Sequence, residues 1–512
     1  MEKGQRHVAK GDSDVESEDT LEKSQPSQFE IETLVALFEQ ERYDELVALA
    51  RIMTVKFPRH AVGWKALGVA FLQMGRSAEA LAPMRQAVAL SPNDAEGHGN
   101  LGDILNALGL PDEAEASCHR ALEIDPDNTH ALNNLANALQ TLGRLDEAVA
   151  SFQRALQIRP DDPEMHSNLA QVFCDQGRYS DALAHFRKAL DISPNLINAH
   201  QGIHSLLTRL VPQWHVPMMN EQKRNEAYLS ALTSAVTPDT DIFEIGTGSG
   251  LLAMMAARLG AKRVTTCEAV PIIAETARRI ISENGYEDSI RVIAKRSDAI
   301  EIGDDLPYKA DILVSEIFSS ELIGEHVLPC MEDAKSRLLK PSGRVIPSAG
   351  SIMIALFGGD DIRRNVVADD SLGFSLQHFN AIVSKKSMIA RSDLSIELLT
   401  DDIEAFRFEF ERDSFFPGQT VRLNIPVTTS GSCYGIIQWI RLQLDDHAVF
   451  ENHPAEKSRV SNWQQVIYVS PQPLEVECGQ VAVVTASHDR NLPWFFLEGI
   501  IPAAAPQFRR DG

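Results

Sequence analysis

Between residues 61 and 196 the apolar and small positions recur every 34 residues: Gly75, Gly109, Gly143 and Gly177; Ala80, Ala114, Ala148 and Ala182; Pro92, Pro126, Pro160 and Pro194. Within one unit, such as ALNNLANALQTLGRLDEAVASFQRALQIRPDD, apolar residues fall three and four apart on both sides of the glycine. That spacing predicts two helices joined at a glycine turn, with proline closing the second because it cannot extend the helical ladder. Four units are predicted at 61–94, 95–128, 129–162 and 163–196. A degenerate fifth, over about 27–60, keeps Tyr43 and Pro58 but lacks the turn glycine. From residue 241 the pattern changes: DIFEI, VTTCEA, RVIAKRSDAI and ILVS are short apolar runs alternating with helical stretches such as LLAMMAARL. This predicts a doubly wound parallel sheet. Beyond Pro347, FRFEFERD, VRLNIPVTT, GIIQWIRLQL and QQVIYVS alternate apolar with polar residues and are broken by Gly and Pro, which predicts an antiparallel β domain.

The chain is therefore expected to be multidomain: an acidic disordered tail over 1–28, an all-α solenoid over 29–210, an α/β domain over 211–347 and a β-barrel-like domain over 348–506. The 34-residue unit resembles the tetratricopeptide repeat, in which small sites let paired helices approach closely and stacked units bury one continuous core. Asn100, Asn134 and Asn168 fall one period apart on the first helix of the second, third and fourth units. An amide side chain both donates to and accepts from main chain, so such a ladder can hold an extended peptide without demanding a sequence. The alternative is that these asparagines bond only neighbouring helices or water, and both readings stay open.

Charge narrows the partners. Lys and Arg number 48 against 72 Asp and Glu, a formal charge of −24. That disfavours nucleic acid and anionic membrane and favours basic protein partners. No run is long and apolar enough to span a bilayer and the N-terminus has no signal-peptide core, so a cytoplasmic location is expected. The six cysteines are far apart in sequence, which offers no CxxC metal pair and suits reduced thiols; no metal is expected.

Strand DIFEI runs into GTGSG and then a helix, so Glu244, Gly246, Gly248 and Gly250 lie at the strand end and turn. A dinucleotide cradle of the form GxGxxG would need glycine at Leu251, so a cofactor lacking the pyrophosphate is favoured. Glu268 ends the next strand, placed to accept two ribose hydroxyls, and Asp298 follows the third, placed to accept from an adenine amino group. Acid at both ends of a nucleoside, with no phosphate cradle, suits S-adenosylmethionine. This order of motifs resembles a class I (Rossmann-like) methyltransferase.

Glu316 and Glu325 then stand nine residues apart in ILVSEIFSSELIGEHVLP. With WHVPMMNEQKRN at 214–225, IP at 346–347 and AVVTASHDRNLPWFF at 482–496, this stretch resembles the double-glutamate loop and flanking segments of protein arginine methyltransferases. Within that family, repeats joined to such a helix are most similar to type 9, and the loop is also similar to type 7. The resemblance implies methyl transfer to protein arginines, with Glu316 and Glu325 as the catalytic pair. It also implies cofactor contacts from His215, Met218 and Arg224, the last facing the methionine carboxylate. A guanidinium stays protonated to a pKa above about 12 and is a poor nucleophile. Two carboxylates gripping it would draw positive charge from one nitrogen and aim that nitrogen at the methyl.

Where the family carries Thr-His-Trp, this chain has Ser461, Asn462 and Trp463; Asn462 cannot relay a proton, while Trp463 is expected to stack on the substrate guanidinium. Phe318 and Val327 stand where enzymes making asymmetric product carry methionines, and a bulky Phe318 in the substrate site is expected to favour monomethyl or symmetric dimethyl product. Glu321 is expected to be solvated, and His488 with Asp489 to form a structural turn. A dimerisation arm is expected near 370–400, with a homodimer replacing the second catalytic module found in related enzymes. The alternative from another class is a catalytically weak or inactive repeat scaffold that binds protein partners.

Overall fold

The computed structural model describes residues 25–212, 214–368, 370–389, 395–456 and 463–502. The expected tail, apart from its last residues, and Ser461 and Asn462 lie outside the described residues. The chain divides into two compact units, one ending at Leu207 and the other beginning at Thr208.

In the first unit, ten helices run among the described residues from Gln28–Glu39 to Tyr179–Ile192, and an eleventh, Ile197–Leu210, ends just past its boundary. Gly75, Gly109, Gly143 and Gly177 adopt φ between +71° and +75° in the turns between paired helices. Nothing lies within 4 Å of a Cβ built on any of them, so glycine is there for its backbone conformation and not for space. In the degenerate unit the matching position is Glu41, which takes φ +56° and makes the same turn without glycine. Ala80, Ala114, Ala148 and Ala182 are fully buried where helices meet. A second periodic device joins these: Trp64 donates to the Pro58 carbonyl at 3.1 Å. His98, His166 and His200 place Nε2 at 3.2, 3.0 and 2.8 Å from the carbonyls of Pro92, Pro160 and Pro194. Each ring binds the carbonyl of the proline six residues earlier, a group that the helix end leaves without a partner.

The second unit begins with helices His215–Met219 and Gln222–Ala235. Five parallel strands follow, β1 (Asp241–Ile245), β2 (Arg263–Cys267), β3 (Ile290–Ile293), β4 (Ala310–Ser315) and β5 (Leu339–Ile346), in the order β3-β2-β1-β4-β5. Strand order reverses between β1 and β4, so a crevice is expected beyond their carboxyl ends, where Gly246 and Glu316 follow. Seven strands make the next, antiparallel sheet: β6 (Ala349–Gly358), β7 (Lys386–Ile389), β8 (Glu397–Leu398), β9 (Ile403–Phe408), β11 (Gly431–Gln443), β12 (Val449–Glu451) and β13 (Gln465–Val476). A third sheet pairs β10 (Gln419–Pro426), β14 (Val481–His488) and β15 (Pro493–Ile501). Every residue of β6 is buried, which is why its pattern is continuous and not alternating. The segment expected as an arm, which follows helix Asp360–Val366, holds a 3-10 turn Gln377–Ala381 and β7, and presents Leu372, Phe374, Phe379 and Ile382 to solvent at 61–95% exposure.

Candidate active site

The GTGSG turn folds as its glycines require: Gly246, Gly248 and Gly250 take φ of +84°, +51° and +82°. A Cβ on Gly246 would meet Ile317 at 2.9 Å, and one on Gly250 would meet Ile281 at 2.9 Å, whereas Gly248 faces open space. The Gly248 amide donates to Glu268 Oε2 at 3.2 Å and the Val270 amide to Oε1 at 3.0 Å. Both bonds fix the Glu268 carboxylate beside the turn while leaving lone pairs for hydroxyls. Asp298 sits in a 3-10 turn after β3, more than half exposed and paired with Arg296, which holds its carboxyl below the usual range.

Helix Gln222–Ala235 contributes the densest part of the site. Arg224 Nη2 pairs with Glu316 Oε2 at 2.8 Å, each side chain about 5% exposed or less. Its Nη1 donates to Asn225 Oδ1 at 2.7 Å and its guanidinium lies 5.4 Å over the Tyr228 ring. Tyr228, one turn further on, donates to the Ser315 carbonyl at 2.9 Å and so fastens the helix to the end of β4. Burial pushes the Glu316 carboxyl up to about 7, with Arg224 opposing the rise and Glu221 adding to it. Glu244, 1% exposed on β1, is pushed up to about 8, again chiefly by burial. His215 is half-buried, stacked on Trp214 at 4.2 Å with Nδ1 3.2 Å from the Pro212 carbonyl, and Met218 is buried.

Among the described residues of the site, three buried side-chain atoms have no hydrogen-bond partner: Arg224 Nε, Glu244 Oε2 and Ser315 Oγ. A buried donor and a buried acceptor left unmatched are costly unless a ligand matches them. An amino acid's carboxylate and ammonium have that complementary chemistry, and Glu268 supplies acceptors for a ribose, so the residues present fit S-adenosylmethionine. Arg224, expected to face that carboxylate, does not offer it the whole guanidinium. It is already shared with Glu316, and only its Nε is unmatched.

Several other expectations change. Trp463 is 2% exposed, packs on Phe450 at 4.9 Å and donates to the Phe318 carbonyl at 2.6 Å, so it offers no open face to a substrate and instead anchors the loop. Phe318 is 5% exposed against Phe410, so its ring does not wall the substrate site, and Val327 is buried at the start of helix Val327–Leu338. Glu321 is buried and ion-paired with Lys386, not solvated. Asn134 is 3% exposed and donates to the Gly99 carbonyl of the preceding repeat at 3.2 Å, the neighbour-bonding alternative. Asn168 likewise donates to Asn133 at 3.2 Å but stays half-buried, as does Asn100. His488 is buried edge-on to Phe406 and Phe408, and Asp489 accepts the amides of Asn491 and Leu492: a structural turn.

The two loop glutamates therefore differ sharply. The Glu316 side chain is buried and paired, while Glu325 is exposed at φ +59° and followed by His326 at φ +62°. The His326 amide donates to Asn491 Oδ1 at 3.1 Å, so the turn before β15 holds the far end of the loop. Sequence reading missed Tyr228, although its i,i+4 spacing from Arg224 puts both on one helix face. It also missed Lys386 and Asn491, far away in sequence and without a local signal.

A five-stranded sheet in this order, with a glycine turn at its reversal and acids placed for a sulfonium nucleoside, defines an S-adenosylmethionine-dependent methyltransferase. The family description ribosomal protein L11 methyltransferase (PrmA) matches residues 225–353, and the tetratricopeptide repeat matches 94–161 and 127–195. The chain is 35% identical over 273 residues to arginine N(omega)-methyltransferase of Streptomyces achromogenes subsp. streptozoticus, covering 53% of this chain and 75% of that protein. It therefore belongs to the arginine N-methyltransferase family. It is also 29% identical over 321 residues to protein arginine N-methyltransferase 7 of Drosophila erecta, covering 54% of this chain and 46% of that one. The chain thus spans about half the length of the type 7 relatives it matches. Among solved structures, the Trypanosoma brucei PRMT1 enzyme-prozyme heterotetrameric complex with AdoHcy aligns with TM-score 0.47 at 19% identity, over 56% of this chain and 93% of that one. The type 7 likeness expected from the loop is matched by these relatives; the type 9 likeness remains an expectation from the repeats.

Proposed function

We propose that the protein methylates guanidino nitrogens of arginine residues in basic proteins, with the repeats recruiting the substrate protein. The observation that carries this reading is the Arg224–Glu316 pair: a loop carboxylate at the switch point already holds a guanidinium in a buried setting. S-adenosylmethionine supplies an electrophilic methyl group on a sulfonium. Arg224 Nε and Glu244 are proposed to take its carboxylate and ammonium, and Glu268 its ribose, with His215, Met218 and Asp298 completing the contacts. Gly248 leaves room for close approach because no side chain fills that space.

Glu316 and Glu325 grip the substrate guanidinium and orient one nitrogen, and alignment supplies much of the rate. A carboxyl with a pKa near 7 can also take up the proton released from the methylated nitrogen. The half-buried Asn100 and Asn168 are the proposed peptide contacts on the repeats, while Asn134 ties repeats together. The polar cleft lined by Glu164, Ser167, Asn168, Leu196 and Asn198 is the companion surface. We further propose a homodimer through the exposed apolar segment around Leu372 and Phe374, and a cytoplasmic location, supported by six cysteines that form no disulfide among the described residues.

A second reading follows from the Streptomyces relative, whose name specifies arginine and not protein arginine. Labelled methyl transfer to arginine-rich peptides, cell extract and free arginine, with products resolved by mass, separates the two. Label on protein arginine supports the proposal; label confined to the free amino acid replaces it, and no label on any arginine leaves the scaffold alternative.

A further inference from the structure

The loop from Glu316 to His326 is tied at four successive points to the β domain. Trp463 Nε1 holds the Phe318 carbonyl, the Gln464 amide donates to Ser320 Oγ at 3.0 Å, Lys386 pairs with Glu321, and Asn491 holds the His326 amide. Three of these are neutral hydrogen bonds. The fourth is an ion pair, with the Lys386 and Glu321 side chains only 20% and 10% exposed. Lys386 is further enclosed: its ammonium lies 5.3 Å over the Tyr468 ring and 5.5 Å over the Trp494 ring, and donates to the Pro493 carbonyl at 3.2 Å. Tyr468 faces Lys386 across the β13–β7 ladder and is itself fixed by bonds to Gln438 and the Pro493 carbonyl. The lysine is thus a rigid cationic peg set in the sheet, with its charge directed at the middle of the loop.

Such a pair is a poor way to gain stability, because removing two charges from water offsets most of their attraction. It is an effective way to fix position, since the buried carboxylate has one charged partner in one place. We propose that Lys386 and Glu321 are positioning residues that set the loop so that Glu325, which is exposed and in a left-handed conformation, meets the guanidinium together with Glu316. This rests on the arginine methyl-transfer reading above. Its consequence is that the loop geometry depends on β7, which directly follows the exposed apolar segment containing Leu372, Phe374, Phe379 and Ile382.

The test compares wild type, Lys386→Met with Glu321→Gln together, and Lys386→Arg, on an arginine peptide. The double variant removes both charges and so leaves no unpaired buried ion. Its kcat should fall about 10- to 100-fold, the loss expected when a reacting group is misplaced by about 1 Å. Its KM for the cofactor and its melting temperature should stay near wild type, and Lys386→Arg should recover most of the activity. Wild-type kcat in the double variant overturns the proposal, as does a kcat loss that runs in parallel with lost cofactor binding. Should the double variant not fold, Glu321→Asp keeps the charge but retracts it by one methylene, and unchanged kcat there is equally fatal. If wild type itself labels no arginine, it is the methyl-transfer reading that fails, a result separate from any variant.

Discussion

Replacing Glu244 with Gln should alter how stability depends on pH. Glu244 is 1% exposed, its Oε2 has no partner, and its carboxyl is pushed from 4.5 to about 8 by burial. The folded protein therefore holds this proton more tightly than the unfolded chain does. Below pH 4.5 both states are protonated and the site contributes nothing. As pH rises from 4.5 to about 8 the unfolded chain releases the proton while the folded protein keeps it, so stability falls. At about 1.4 kcal/mol per tenfold change in proton affinity, the loss above pH 8 is about 4–5 kcal/mol. Gln keeps the shape without the charge, and its unmatched amide costs about 1–3 kcal/mol at every pH. The variant should be equal to or weaker than wild type at pH 5 and stronger by a few kcal/mol at pH 9. Urea denaturation of the full chain across this range, followed by tryptophan fluorescence, gives the difference curve. Because Glu244 is proposed to accept from the cofactor's ammonium, cofactor binding to wild type near pH 7 should release close to one proton, seen by calorimetry in buffers of different ionisation heat, and binding to the variant should release none. Parallel stability curves for the two proteins would refute the reasoning.

Glu41 makes a left-handed turn without being glycine, so Glu41→Gly should stabilise the repeats by about 1 kcal/mol in thermal or urea unfolding. Asn134→Ala should cost about 1–3 kcal/mol, since the Gly99 carbonyl loses its buried donor, while Asn100→Ala should leave unfolding unchanged and weaken peptide binding measured by calorimetry. A Cβ on Gly102 would come 2.4 Å from Cys118 Sγ, so Gly102→Ala should lower stability by about 1–3 kcal/mol through overpacking, measured by circular dichroism.

Periodic features were the most legible. Glycine, alanine and proline at a 34-residue spacing specify paired helices because each has one conformational or steric role that repeats, and the strand-turn-helix around GTGSG is specified the same way. What escaped the sequence were side chains whose direction depends on distant strands. Trp463 and Phe318 carry the residue types of a substrate site, but once β13 lies beside the loop their rings turn into the core. Glu321 looks like a surface acid until β7 brings Lys386 to it, 65 residues further along the chain. Asn134 and Asn100 occupy equivalent repeat positions, yet only the stacked neighbour decides which of them is buried. Burial also separates Glu316 from Glu325, and no local pattern records that difference.

The most direct test of the account is methyl transfer from labelled S-adenosylmethionine to an arginine-rich peptide by wild type, Glu316→Gln and Glu325→Gln, with cofactor affinity measured on each. The account predicts label on arginine in wild type, a loss of about 100-fold or more in both variants, as for removal of a group that stabilises developing charge, and cofactor binding kept in Glu325→Gln. Full activity in either variant, or label on a residue other than arginine, would contradict it.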